Sequence, residues 1–243
     1  MTDLAAQILV LAKEPVPGRV KTRLTPPFTP REAAALAEAA LADTLAAVRR
    51  TRVIRRVLAL AGEPGPWLPD GFDVIPQRGA GLDERIAAAM WDAYTALPVP
   101  IVLIGMDTPQ VTAVLLEAAA EPLARTMADA TFGPAEDGGF WMLGLRRPDP
   151  ELTLGVPMSE AVTGRAQLVR LIQAGLRIHM TPELVDVDTL AEAARVARQA
   201  PASRFAATLA ATLGAPAELD EMIPSSLAPV PRRDQPVTVT RLP

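Results

Sequence analysis

Ile8–Leu24, ILVLAKEPVPGRVKTRL, decides how the chain is read. Ile8 to Ala12 is a continuous apolar run without alternation, the pattern of a strand buried on both faces. The run ends in a loop with two prolines, a glycine and four cations (Lys13, Arg19, Lys21 and Arg23) against one acid, Glu14. From Thr29, TPREAAALAEAALADTLAAVRR predicts a helix, with Thr29 as cap, Pro30 in the first turn and Glu32 as an early acid. A buried strand that leads through a polar loop into a long helix is the opening of an α/β sheet.

The same alternation continues. Arg55–Gly62 and FDVIPQ (72–77) read as strands, LDERIAAAMWDAYTAL (82–97) as a helix, and PIVLIGMDTPQ (100–110) as a strand running into a polar turn. VTAVLLEAAAEPLA (111–124) is helical, and DATFGPA (129–135) and GGFWMLGLRR (138–147) are strands. SEAVTGRAQLVRLIQAGL (159–176) is a helix, RIHMTPELVDVDT (177–189) a strand with a polar end, and LAEAARVARQA (190–200) a helix. The expected fold is a three-layer α/β sandwich, Rossmann-like, with a largely parallel sheet. Residues 1–213 form one domain in this reading. Residues 214–243, rich in proline and without periodicity, form an extended arm or disordered tail.

Composition narrows the chemistry. Of 243 residues, 49% are hydrophobic and 4% aromatic, so the core is aliphatic. The net charge of −4 gives no reason to expect nucleic-acid binding, and the basic loop is a local patch suited to a small anion. There is no cysteine, which removes thiol nucleophiles, disulfides and thiolate metal sites, and only one histidine, His179. His179, with no acid or nucleophile nearby in sequence, reads as structural. Any metal would be a hard cation on carboxylates, Mg²⁺ or Mn²⁺. The N-terminus has no basic region before a short apolar run, and no stretch approaches a spanning helix, so a cytoplasmic protein without membrane contact is expected.

Ligands of open α/β sheets bind outside the carboxyl ends of the strands. Polar clusters fall there. In the opening loop, Gly18 permits close backbone approach, while Arg19, Lys21 and Arg23 can reach phosphate oxygens; the alternative is a solvated basic loop. The spacing is not that of a P-loop. Asp107, after the strand at 100–110, is placed to hold a divalent cation or to cap the next turn. Asp186 and Asp188 alternate, so both point one way; they suit a cation, while Asp188 or Thr189 can also cap the helix from Leu190. Glu136, Asp137, Gly138 and Gly139 form a tight turn in which Asp137 can accept from substrate hydroxyls, or an ordinary hairpin. Gln77, Arg78 and Arg85 flank Gly79 and Gly81 before a helix, a setting that suits an anion.

In order, LAKEPVPGRVKTRL, GMDTP, GPAEDGGFWMLGL and DVDTL resemble bacterial glycosyltransferase-like proteins of the arsenosugar-biosynthesis type, related to the 2-phospho-lactate guanylyltransferases. The resemblance spans about residues 7 to 200. It implies a GT-A fold, the nucleotide-diphospho-sugar transferase type, that binds nucleotide and uses a carboxylate-held divalent cation. It also implies residue roles. The segment with Ala12, Lys13, Gly18, Arg19, Lys21 and Arg23 would hold nucleotide phosphates, with Lys21, Arg23 and Asp107 catalytic. Asp107, Asp186 and Asp188 would hold the metal. Asp137, with Gln77, Arg85, Glu136, Gly138 and Gly139, would face the acceptor. Leu82-Asp83 and Met158-Ser159 depart from the family's usual Leu-Gly step and tryptophan beside serine, both on the acceptor side.

The activity implied is nucleotidyl transfer from a nucleoside triphosphate to a small phosphorylated or hydroxylated acceptor. A glycosyltransferase using a nucleotide sugar is the alternative, and a non-catalytic nucleotide-binding scaffold a further one. The cationic loop favours the first, since a triphosphate must be gripped, and the strand end reads Asp107-Thr108-Pro109 in place of an Asp-x-Asp pair. The Ala-rich helices allow a homodimer.

Overall fold

A computed structural model of the chain describes residues 2–214. The proline-rich segment read as an arm or tail lies outside these residues, apart from its first residue, Gly214. The strands are β1 (Leu4–Lys13), β2 (Val53–Ala61), β3 (Asp73–Pro76), β4 (Ile101–Ile104), β5 (Ala130–Pro134), β6 (Phe140–Leu145) and β7 (Ile178–Met180). They form one sheet in the order β3-β2-β1-β4-β6-β5-β7. Every neighbouring pair is parallel except those involving β6, which runs against both β4 and β5. The mostly parallel sheet expected from the sequence is therefore present, and the reversed strand is the second arm of the Asp-Gly hairpin.

The helices are α1 (Pro30–Arg50), α2 (Leu82–Ala96), α3 (Ala113–Ala124), α4 (Thr163–Gln173), α5 (Leu190–Gln199) and α6 (Arg204–Leu213). Thr29 caps α1 with its hydroxyl, and Glu32 reaches back to the Thr29 amide, closing a capping box. Strand β1 sends Ile8, Val10 and Ala12 to the face covered by α1 and α3, and Leu9 to the face covered by α2 and α4. Each layer is thus sealed by one set of alternate residues.

Helix α6 was not anticipated from the sequence. It packs with α5 on the outer side of α1, around Leu36, Ala40, Val196, Phe205 and Leu209. The same cluster takes Val185 and Val187, so the segment expected as a strand over 177–189 is strand only at Ile178–Met180. Beyond it the chain stays extended, joined to the β5 end by one bridge between Leu184 and Ala135 and held by burial of its two valines.

Two polar groups in the sheet are fully engaged. Gln7 is completely buried, gives its amide to the Leu97 carbonyl and takes a hydrogen bond from Arg55. Asp129 accepts from Arg146, and from Arg177 at 2.8 Å, tying the start of β5 to the ends of β6 and α4. These partners, Arg177 foremost, hold its carboxyl far below the ordinary value of 3.8. Its contribution is complete above that value and is lost as pH falls below it. Asp129→Asn should therefore lower the unfolding free energy at pH 7 by about 1.5–3 kcal/mol, the range for charged hydrogen bonds. The gap to the parent should narrow toward pH 3, which urea denaturation at both pH values checks.

Candidate active site

The chain runs outward from β1 to β2 and β3, then returns through α2 to lay β4 on the other side of β1. The carboxyl ends of β1 and β4 therefore diverge and leave a crevice between them. A cleft of about 790 Å³ opens there. Its walls are the loop after β1, the residues after β4, the β5–β6 hairpin, residues 158–163 and the extended segment 185–189.

The centre of the cleft is Lys21. Val20 and Leu24 are buried on either side of it, and Thr22–Leu24 form a 3-10 turn. Lys21 itself adopts a left-handed backbone (φ 49°, ψ 38°), which costs a residue with a Cβ about 1 kcal/mol or more. Its side chain is 7% exposed. The ammonium lies 2.6 Å from Asp107 Oδ1 and 3.5 Å from Asp188 Oδ1, and donates to the Val187 carbonyl. Arg23 Nη1 donates to Asp188 Oδ2 at 2.7 Å. The Val187 amide donates to the Asp107 carbonyl at 3.1 Å, so strand end, loop and extended segment form one polar knot.

Asp186 and Asp188 do point the same way, because Val185 and Val187 occupy the opposite side of an extended chain. Burial is the main cause that pushes the Asp186 carboxyl up to about 7. The charges of Asp107, Asp137 and Asp188 add to the rise, and Lys21 opposes it. Thr189, not Asp188, caps α5, paired with Glu192 in a capping box. Among the described residues no group of three His, Cys, Asp or Glu side chains is arranged to hold a metal ion. The crowded carboxylates have the chemistry a hard divalent cation needs, but Lys21 stands where Asp107 and Asp188 would share it.

The Asp-Gly turn builds the opposite wall. Asp137 Oδ1 accepts from the Gly139 amide at 2.8 Å, and Gly138 has φ 88°. A Cβ on Gly138 would lie 2.1 Å from the Ala161 carbonyl, and one on Gly164 would lie 2.2 Å from the Gly139 carbonyl. With the Gly164 amide bonded to the Gly138 carbonyl at 2.8 Å, α4 meets the hairpin backbone to backbone. This contact sets Met158, Ser159, Glu160 and Ala161 against the cleft.

Of the other residues singled out in the sequence, Ala12, Lys13, Arg19, Gln77, Arg85, Glu136, Asp137 and Gly139 line the cleft, whereas Gly18 and Gly138 do not. Gly18 serves a turn at φ 78° with open space around it, and approaches nothing. Gln77 spends its amide on the Ala12 and Ala59 carbonyls, at 2.7 and 2.9 Å, and so joins β1 to β2. Glu136 is paired with Arg195 by two hydrogen bonds of 2.8 Å. Arg85 donates to the Gly79 carbonyl of its own loop. The α2 N-terminus expected to suit an anion already has the Ala80 amide bonded to Glu84. His179 is not a satisfied core residue but an exposed one on edge strand β7. Leu82 and Met158-Ser159, noted as departures from the family pattern, line the cleft, as does Thr108 beside Asp107; Glu160 and Glu192 also line it, brought there by contacts between distant segments that no local pattern signals.

Comparison with known proteins places this geometry in a class. The chain has the nucleotide-diphospho-sugar transferase fold. It superimposes with a TM-score of 0.79 on a candidate nucleotide-diphospho-sugar transferase from Desulfovibrio desulfuricans G20, at 26% identity over 91% of this chain and 98% of that one. A CMP:2-keto-3-deoxy-manno-octonic acid synthetase, solved with CTP, shares the fold at a TM-score of 0.51 and 14% identity, over 81% of this chain and 98% of that one. Residues 42–160 match the bacterial family described as "Uncharacterized protein conserved in bacteria (DUF2064)". No curated protein matches the sequence. Among the described residues no helix is long and apolar enough to cross a membrane.

The raised Asp186 value has a definite sign. Because the folded value of about 7 exceeds the ordinary 3.8, ionisation costs stability progressively across that interval and in full above it. Asp186→Asn in EDTA should therefore melt above the parent at pH 8 and close to it at pH 4. Thermal unfolding of both proteins at the two pH values is the check.

Proposed function

We propose that this chain is a metal-dependent, nucleotide-utilising transferase, most simply a nucleotidyltransferase that couples a nucleoside triphosphate to a small hydroxylated or phosphorylated acceptor. One observation carries the reading. The loop after β1 and the acids after β4 and at 186–188 meet in a single cleft at the point where the strand order reverses.

Lys13 and Arg19 line this cleft with no carboxylate partner among the described residues, so their charges are available to phosphate oxygens. Lys21, nearly buried beside them, and the exposed Arg23 would meet the phosphates as well. Asp107, Asp186 and Asp188 would hold a divalent cation, Mg²⁺ or Mn²⁺, which when bound supplies charge neutralisation at the phosphates. Asp137, with the Gly139 backbone and Arg85, faces the remaining space and would orient the acceptor. An acceptor oxygen placed in line attacks the α-phosphorus, the bond to the bridging oxygen breaks, and pyrophosphate leaves with the electron pair. The acceptor's proton passes to a carboxylate or to solvent. Positioning and electrostatics suffice for such a step, and the chain has no cysteine to serve a covalent one.

The likeness to the Desulfovibrio protein favours a second reading, a glycosyltransferase that uses a nucleotide sugar in the same cleft. Thermal unfolding with ATP, GTP, CTP, UTP and UDP- or GDP-sugars, each with and without Mg²⁺ or Mn²⁺, separates the two. A ligand at one hundred times its Kd stabilises the folded state by about 2.7 kcal/mol. Metal-dependent stabilisation by a triphosphate, lost in Asp107→Asn along with turnover, is the expected result. A preference for a nucleotide sugar would select the second reading, and no shift with any of them would overturn both.

A further inference from the structure

We infer that Lys21 is a built-in occupant of the acidic cleft, a cation that a divalent ion must displace. The exchange would make metal and nucleotide bind together rather than the metal alone. This rests on the transferase reading only in assigning the cleft a divalent ion.

The ammonium already makes three contacts that such an ion would require or disturb: Asp107 Oδ1, Asp188 Oδ1 and the Val187 carbonyl. Two cations cannot share these oxygens at contact distance, because their repulsion adds to the loss of both close pairings. Binding of a bare metal ion must therefore break an existing, nearly buried ion pair. With the metal alone the displaced charge has only solvent to turn to, whereas phosphate oxygens near Lys13 and Arg19, at the same wall of the cleft, would give it new partners.

The local structure permits the movement. Val20 is anchored in the core beneath β1 and Leu24 in the cluster around α1 and α5, so the backbone on either side of Lys21 is fixed by burial independent of the ion pair. The four-carbon stem can swing between these anchors without unfolding the loop. The left-handed backbone at Lys21 is what aims the stem inward. Arg23, bound to the second oxygen of Asp188 and 70% exposed, can leave with it at little cost. Because coupling between two ligands is reciprocal, a metal that binds better with nucleotide makes nucleotide bind better with metal.

The test is Mn²⁺ binding by the full chain without nucleotide, read from the free-ion EPR signal. Lys21→Met, matched to the parent by circular dichroism, should bind Mn²⁺ at least tenfold tighter than the parent. Equal or weaker binding, or none by either protein, overturns the inference. The chain has only two lysines, Lys13 and Lys21, so selective ¹³Cε labelling gives a second readout on the parent itself, independent of whether the variant folds. The immobilised Lys21 signal should move to a free-lysine position on saturation with Mg²⁺, and a signal that stays in place while the metal is bound overturns the exchange. If triphosphates stabilise the chain with metal and yet Lys21→Met gains nothing, this inference fails alone; if they never do, the transferase reading fails.

Discussion

A single ammonium organises the cleft. Lys21 gathers the end of β4, through Asp107, and the extended segment 185–188, through Asp188 and the Val187 carbonyl. Without it, Asp107, Asp186 and Asp188 would face one another across a partly buried space with only Arg23 to offset them. The left-handed backbone at Lys21 is tolerated because the surrounding burial of Val20 and Leu24 over-determines it.

That knot forms where it does because of the sheet. The return of the chain from β3 through α2 to β4 puts two parallel strands side by side with their connections leaving in opposite directions. The reversed strand β6 then brings the Asp137 turn to the same end of the sheet as the carboxyl ends of β1 and β4. Helices α5 and α6 complete the arrangement from outside. By covering α1 they create the apolar cluster that buries Val185 and Val187 and thereby turns Asp186 and Asp188 toward the cleft.

The electrostatics of the cleft divide into two kinds of cation. Lys21 and Arg23 are matched by carboxylates, and among the described residues Lys13 and Arg19 are not. An anionic ligand therefore meets unmatched charge at Lys13 and Arg19, beside the matched, nearly buried charge of Lys21. The loop is preorganised by its prolines and by its ion pairs to Asp107 and Asp188, which lowers the entropy lost on binding.

The sequence by itself determined the layered α/β fold, because unbroken apolar runs, helix caps and Asp-Gly turns are local signals. It also located Asp107, Asp137 and the Asp186/Asp188 pair, since polar residues after buried strands have few other places to be. It did not give their partners within the chain. Lys21, read as a phosphate ligand, is bound to Asp107; Glu136 and Gln77, read as facing an acceptor, hold Arg195 and two strand carbonyls. Helix α6 and the residues Glu160 and Ala161 escaped notice for the same reason. Which charge neutralises which, and which glycine admits a neighbouring backbone, depend on distances between segments up to 166 residues apart in the chain. Local composition carries no record of those distances. Only the tertiary structure decides them, by bringing the loop, the strand end and the extended segment to one point.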